Sequence, residues 1–113
     1  MAPFMNPYFF IRDGKDLIRI CFSDILYVEA LNRYVKIFTC KGTYTTEGAL
    51  HDLEKLLPEN EFCRIHKSYI ISIGHISRLN SKLVFIASTQ LPIGRKYGNN
   101  LSGRILVAFN ARR

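Results

Sequence analysis

Three cysteines are too few and too scattered to organise this chain. Cys21, Cys40 and Cys63 are odd in number, lie far apart and form no CxxC pair, which argues against a disulfide framework. Each lies among Ile, Phe or Thr in a strand-like run, the setting of a reduced, partly buried thiol in a reducing compartment. With the three histidines, His51, His66 and His75, they make no zinc-ligand spacing, so no metal site is expected. No apolar run approaches the length that crosses a bilayer, which excludes a membrane-spanning helix. The start, Met1-Ala2-Pro3-Phe4-Met5-Asn6-Pro7, lacks the basic and apolar regions of a secretion signal. The expectation is a cytoplasmic protein with no membrane partner. Internal repeats and low-complexity tracts are missing as well.

Acids are scarce: 9 Asp+Glu stand against 16 Lys+Arg, a net charge of +7. A basic surface attracts polyanions and speeds their encounter, nucleic acid among them. No carboxylate pair stands out, since Asp13, Asp16, Asp24 and Glu29 fit turns and strand ends. His66-Lys67-Ser68 brings together residue types used in nucleophilic catalysis. Adjacent strand residues point to opposite faces, so a hydrogen-bonded relay is not expected there. The chain is read as a non-enzyme without a cofactor.

What remains is an ordinary globular mixture, 48% hydrophobic and 22% charged over 113 residues, enough for one domain. Short alternating runs dominate. Tyr8 to Arg12 and Leu17 to Phe22 flank Asp13-Gly14, a hairpin signal. Ile25 to Glu29, Tyr34 to Cys40, Phe62 to His66, Ser68 to Ile73, Lys82 to Ala87 and Gln90 to Ile93 read as further strands. One segment switches period: Leu50, Leu53, Leu56 and Leu57 form the stripe of a helix over 47–57, with Thr46 as its N-cap and Pro58 as its stop. Leu101, Ile105, Leu106 and Phe109 suggest a short C-terminal helix. Residues 1–7 read as an irregular lead-in or linker remnant, 8–109 as the domain and 110–113 as a basic tail.

Cations collect at strand junctions and turns. Arg33 precedes a strand, Lys67 lies between two, and Arg95 and Lys96 follow Pro92-Ile93 in the stretch Gly94-Arg95-Lys96-Tyr97-Gly98, a basic loop able to meet phosphates. Loops on a rigid β scaffold are where binding groups usually sit. Arg and Lys donate well to guanine O6 and N7, and Asn32 could pair with adenine. Singly, each is more commonly a solvated charge.

These residues also carry a resemblance. Asp24-Ile25-Leu26-Tyr27-Val28-Glu29-Ala30, Arg33-Tyr34-Val35-Lys36-Ile37, Leu53-Glu54-Lys55-Leu56-Leu57-Pro58, Phe62-Cys63-Arg64-Ile65-His66-Lys67-Ser68-Tyr69-Ile70-Ile71 and Leu91-Pro92-Ile93-Gly94-Arg95-Lys96-Tyr97 follow one another as in the LytTR DNA-binding domain of bacterial response regulators. The resemblance implies an elongated, mostly β fold of short antiparallel sheets with one packed helix, whose loops enter successive major grooves. It implies base contacts from Asn32 or Arg33, from Lys67 and from Arg95. Lys36, His66, Ser68, Tyr69, Gly94 and Lys96 would touch phosphates or support. It further implies double-stranded DNA in direct repeats, two domain copies forming a homodimer there, and an upstream receiver domain in a longer chain. Lys67 stands where Arg is more usual, Ser72 replaces a frequent Asn, and Gly94 replaces a frequent Ser. Asp52 and Glu54, on the outer side of the helix, make it a poor face for DNA. Two rival readings predict other behaviour: a β-rich interaction or dimerisation module, and a single-stranded nucleic-acid binder using Tyr8, Phe9, Tyr44 and Tyr97 as stacking platforms.

Overall fold

The computed structural model describes residues 7–112, so the lead-in up to residue 6 and the last tail residue lie outside it. The first two strands, β1 (Tyr8–Asp13) and β2 (Asp16–Cys21), form the expected hairpin. Its two-residue loop is Gly14-Lys15, with Gly14 at φ +61°, a conformation cheap only for glycine. The next strands are β3 (Ile25–Leu31), β4 (Tyr34–Thr39) and β5 (Gly42–Glu47), followed by helix α1 (Leu50–Leu56). Then come β6 (Phe62–His66), β7 (Tyr69–Ser72), β8 (Ile76–Leu79), β9 (Leu83–Ile86), β10 (Thr89–Pro92) and a five-residue helix α2 (Gly98–Ser102). The strands make a central five-stranded sheet in the order β5-β4-β3-β7-β6, a three-stranded sheet β10-β9-β8, and the separate hairpin.

Every pairing is antiparallel, and the period of two gives the central sheet two apolar faces. Val28, Val35, Ile37 and Ile70 enter one core with Ile11 and Phe22 of the hairpin side and Leu50 and Leu57 of the helix side. Tyr27, Cys63, Ile65 and Ile71 enter a second core with Val84, Ile86 and Leu91 of the small sheet and Leu101 of α2. The central sheet is thus sandwiched, with the hairpin and α1 on one face and the small sheet and α2 on the other. Each fully buried isoleucine, such as Ile25, Ile65 or Ile71, contributes about 1.5–3 kcal/mol relative to exposure. The molecule measures 54 × 39 × 25 Å. This is the mostly β arrangement read from the sequence, with the elongation that the resemblance implies.

Four local expectations change. Helix α1 begins at Leu50, not 47, and its N-cap is Ala49 with no side-chain cap bond. Thr46 and Glu47 instead pair with Val35 and Tyr34, and Gly48 turns the chain at φ +148° before the helix. Strand pairing therefore outweighs the capping preference of threonine, a residue that strands favour as well. At the C-terminus the helical spacing extends too far: α2 stops at Ser102, and Leu106 and Phe109 are 101% and 92% exposed. Strand β8 was missed, because Ile76-Ser77-Arg78-Leu79 buries little of itself and owes its form to its partner β9. The Ser77 hydroxyl donates to the Phe85 carbonyl and the Arg78 guanidinium lies 4.1 Å from the Phe85 ring centre. Lastly, Cys40 is exposed rather than partly buried, with Sγ 3.6 Å from Asp24 Oδ1; Cys21 is half-buried and Cys63 buried, all three free.

Candidate nucleic-acid interface

Three turns meet at one end of the central sheet. Asn32-Arg33 is the two-residue loop between β3 and β4, with Asn32 at φ +56°, a region asparagine tolerates better than most residues. The Arg33 carbonyl accepts the Gly48 N–H at 2.9 Å. Lys67-Ser68 joins β6 to β7. Because β3 pairs with β7, Glu29 opposite Tyr69, the Ala30 N–H reaches the Ser68 carbonyl at 2.8 Å and sets the two loops side by side. The third turn arrives from the other sheet: after β10 the Gly94 N–H donates to the Ile65 carbonyl at 2.7 Å. A Cβ on Gly94 would lie 2.9 Å from Tyr97 Cδ2, so the Tyr97 ring would have to give way, and 3.4 Å from His66 Cδ2, an ordinary contact. Arg95-Lys96-Tyr97 then form a 3₁₀ turn, not the open basic loop expected.

Asn32, Arg33, Lys67, Arg95 and Lys96 are all exposed at these turns. Lys36 is half-buried on the sheet, opposite Glu29 across the strands, with Nζ 5.2 Å from the Phe38 ring centre. His66, Ser68, Tyr69 and Gly94 are half-buried. His66 Nδ1 accepts the Ser68 N–H at 3.0 Å, so a neutral ring in this bond carries its proton on Nε2. The His66–Ser68 contact runs through the backbone amide, and Lys67-Ser68 is the turn at the strand junction read from sequence. Ser72, at the position of a frequent Asn, is buried and shares a 3.0 Å hydrogen bond with His75 Nδ1.

The Tyr69 hydroxyl donates to Glu29 Oε2 at 3.1 Å. Burial first, and the Glu29 carboxylate second, push its pKa above the usual tyrosine range. A raised acid favours the neutral form in the folded state. Its contribution is therefore complete below the unfolded tyrosine pKa and is lost as pH rises past that value toward the folded one. Folding stability of the wild type should fall in this alkaline window more steeply than that of Tyr69→Phe; denaturant titrations at neutral and alkaline pH with parallel slopes would refute the assignment.

The sequence reading missed the residue holding the second turn. Arg64 donates from Nε to the His66 carbonyl at 2.7 Å, from Nη2 to the Lys67 carbonyl at 2.6 Å, and from Nη1 to Glu54 Oε1 at 2.9 Å. Glu54 thus turns toward β6 instead of standing on the outer side of α1; Asp52 is exposed as expected. An arginine in an alternating strand reads as a solvated charge, and only its place two residues before His66-Lys67-Ser68 sets it apart. Phe9 and Tyr44, weighed as stacking platforms, pack against the first core, and the Phe9 ring stacks on Phe22 with centres 5.6 Å apart. Among the described residues no group of three or more His, Cys, Asp or Glu could hold a metal ion, and no helix is long and apolar enough to cross a membrane.

Comparison with known proteins identifies the fold that carries these turns. A family described as the LytTr DNA-binding domain matches residues 15–105. The sensory transduction protein LytT of Bacillus anthracis is 32% identical over 93 residues, covering 77% of this chain and 38% of that protein. The CO-responsive transcriptional regulator RcoM of Rhodospirillum rubrum is 30% identical over 92 residues, 75% of this chain and 39% of that one. The chain therefore spans about two fifths of the length of these curated relatives. A solved LytTr DNA-binding domain from Bacillus cereus superposes with a TM-score of 0.74 at 23% identity, over 88% of this chain and 96% of the other, which establishes the fold. With four fifths of its length inside the family match and the fold in common, the chain belongs to the LytTR family of DNA-binding domains.

Proposed function

We propose that this domain reads double-stranded DNA for transcription control in the bacterial cytoplasm, as the output part of a two-component response regulator. The observation that supports this best is the meeting of three cationic turns, distant in sequence, at one end of the central sheet. In this reading Arg33 (with Asn32), Lys67 and Arg95 enter successive major grooves and contact base edges. Lys36 and Lys96 lie along phosphates, while Gly94, His66, Ser68 and Tyr69 support the turns. Lys67 serves as a point charge where an arginine would offer a two-pronged fork. Two copies occupy direct repeats, and an upstream receiver domain controls them. The relatives named as sensory transduction and transcriptional regulators are in keeping with such a role. The domain binds and does not catalyse.

The test is selection from a random duplex library followed by salt titration of the winning sequence. Phosphate contacts release counterions, so log K should fall linearly with log[salt], with a slope of about −0.9 per neutralised phosphate. A defined motif repeated in the same orientation is expected. Selection that returns no motif, or stronger binding to single strands than to duplex, would overturn the proposal; binding that ignores salt would favour a protein-interaction module instead.

A further inference from the structure

The geometry points to Arg64 as the positioning residue of the Lys67 turn, acting without touching DNA; this inference rests on the function proposed above. Three donors of one guanidinium leave in three directions and are spent inside the protein: two on the consecutive carbonyls of His66 and Lys67, the third on Glu54 of α1. The side chain is only 15% exposed, and the Tyr97 ring, which belongs to the Arg95 turn, lies 5.9 Å from its carbon Cζ. The charge is already paired by Glu54, so little of it is left for a phosphate.

The turn needs such a clamp. Pairing between β6 and β7 slips by one residue between Arg64 and His66, and a bulge of this kind leaves backbone groups outside the ladder. The extra residue is Ile65, whose carbonyl takes the Gly94 N–H, while Arg64 collects the carbonyls of His66, the last paired residue of β6, and of Lys67 in the turn. On the other side of the same turn, the Ser68 N–H is taken by His66 Nδ1. The backbone that carries Lys67 is therefore fixed before any ligand arrives, and ordering costs are removed from the binding step. Lysine cannot substitute, because a single ammonium lacks the planar fork that reaches both carbonyls and the carboxylate together. Glu54 makes α1 part of the device: the helix presents no face to DNA but holds the guanidinium at the angle that reaches the turn.

Arg64→Lys tests this while keeping the charge. In the free domain, amide hydrogen exchange at Ser68 should quicken on the order of tenfold while Ile70 and Ile71 stay protected. On DNA, the ratio of selected to random duplex affinity should drop on the order of tenfold to a hundredfold, with the salt slope retained, because no phosphate contact is lost. Glu54→Gln should move both readings the same way, less far. Unchanged Ser68 exchange overturns the inference, and if the ratio falls without it, Arg64 contacts DNA directly. Protection lost throughout the domain, with equal losses on both duplexes, would make Arg64 a residue of the fold alone. A wild-type domain without any duplex preference would sink the proposed function, while the Ser68 exchange would still decide whether Arg64 holds the turn.

Discussion

Replacing Arg95 by alanine is expected to weaken binding to the selected duplex by about 1–3 kcal/mol, roughly five- to 150-fold, and to relax the preference at one base. Arg95 opens the 3₁₀ turn that Gly94 seats against His66, and it is exposed. Its guanidinium can offer paired donors to O6 and N7 of a guanine, an arrangement worth about 1–3 kcal/mol against the wrong base. The Gly94 N–H to Ile65 bond that places the turn is backbone and survives the substitution. Affinity for random duplex should change far less, since it depends on phosphates. Titration of the variant on both duplexes decides the matter, and equal affinities to wild type on each would remove Arg95 from the interface.

A second large effect is expected in the fold itself. Ile65→Ala should cost about 2–5 kcal/mol, out of a total of about 5–15 kcal/mol for a domain of this kind. Ile65 has no exposed surface and lies in the core between the central sheet and the small sheet. Shortening it leaves a void that strands held on both sides cannot close. Phe109→Ala offers the contrast: this larger side chain is 92% exposed, and its loss should stay within about 0.5 kcal/mol. Urea unfolding of the two variants measures both. Similar midpoints would mean that the second core does not hold the domain together, or that the C-terminal segment packs as a helix after all.

Alternation and turn chemistry made most strands legible. Asp13-Gly14 marked the first hairpin within one residue of its actual loop, and Phe62–His66 has the bounds its pattern predicts. Reading failed where a segment's form is imposed by its partner. Thr46 and Glu47 look like a cap and a first turn, yet the register set by Tyr34 keeps them extended. Ile76–Leu79 has too little apolar pattern to announce a strand and becomes one against β9. At the C-terminus, Gly103 ends α2 although the apolar spacing continues past it. Placement at strand junctions, and then the resemblance, singled out Arg33, Lys67 and Arg95, but nothing in the local sequence brings them together. Their meeting depends on the Ala30–Ser68 and Gly94–Ile65 backbone bonds, and such long-range pairings leave no trace in periodicity.

Among the described residues, six of the seven strand pairings join neighbours in the chain; only β3 with β7 reaches across an intervening helix and three strands. Hairpins form quickly, whereas a distant pairing must first meet the entropy of closing a long loop. The docking of the β6–β7 unit onto β3 is then the event expected to be slow. That event is also what carries Lys67 to Arg33. A chain with every hairpin formed but β7 not yet on β3 would still lack the juxtaposition of Lys67 with Arg33, so that edge is expected to form after the hairpins.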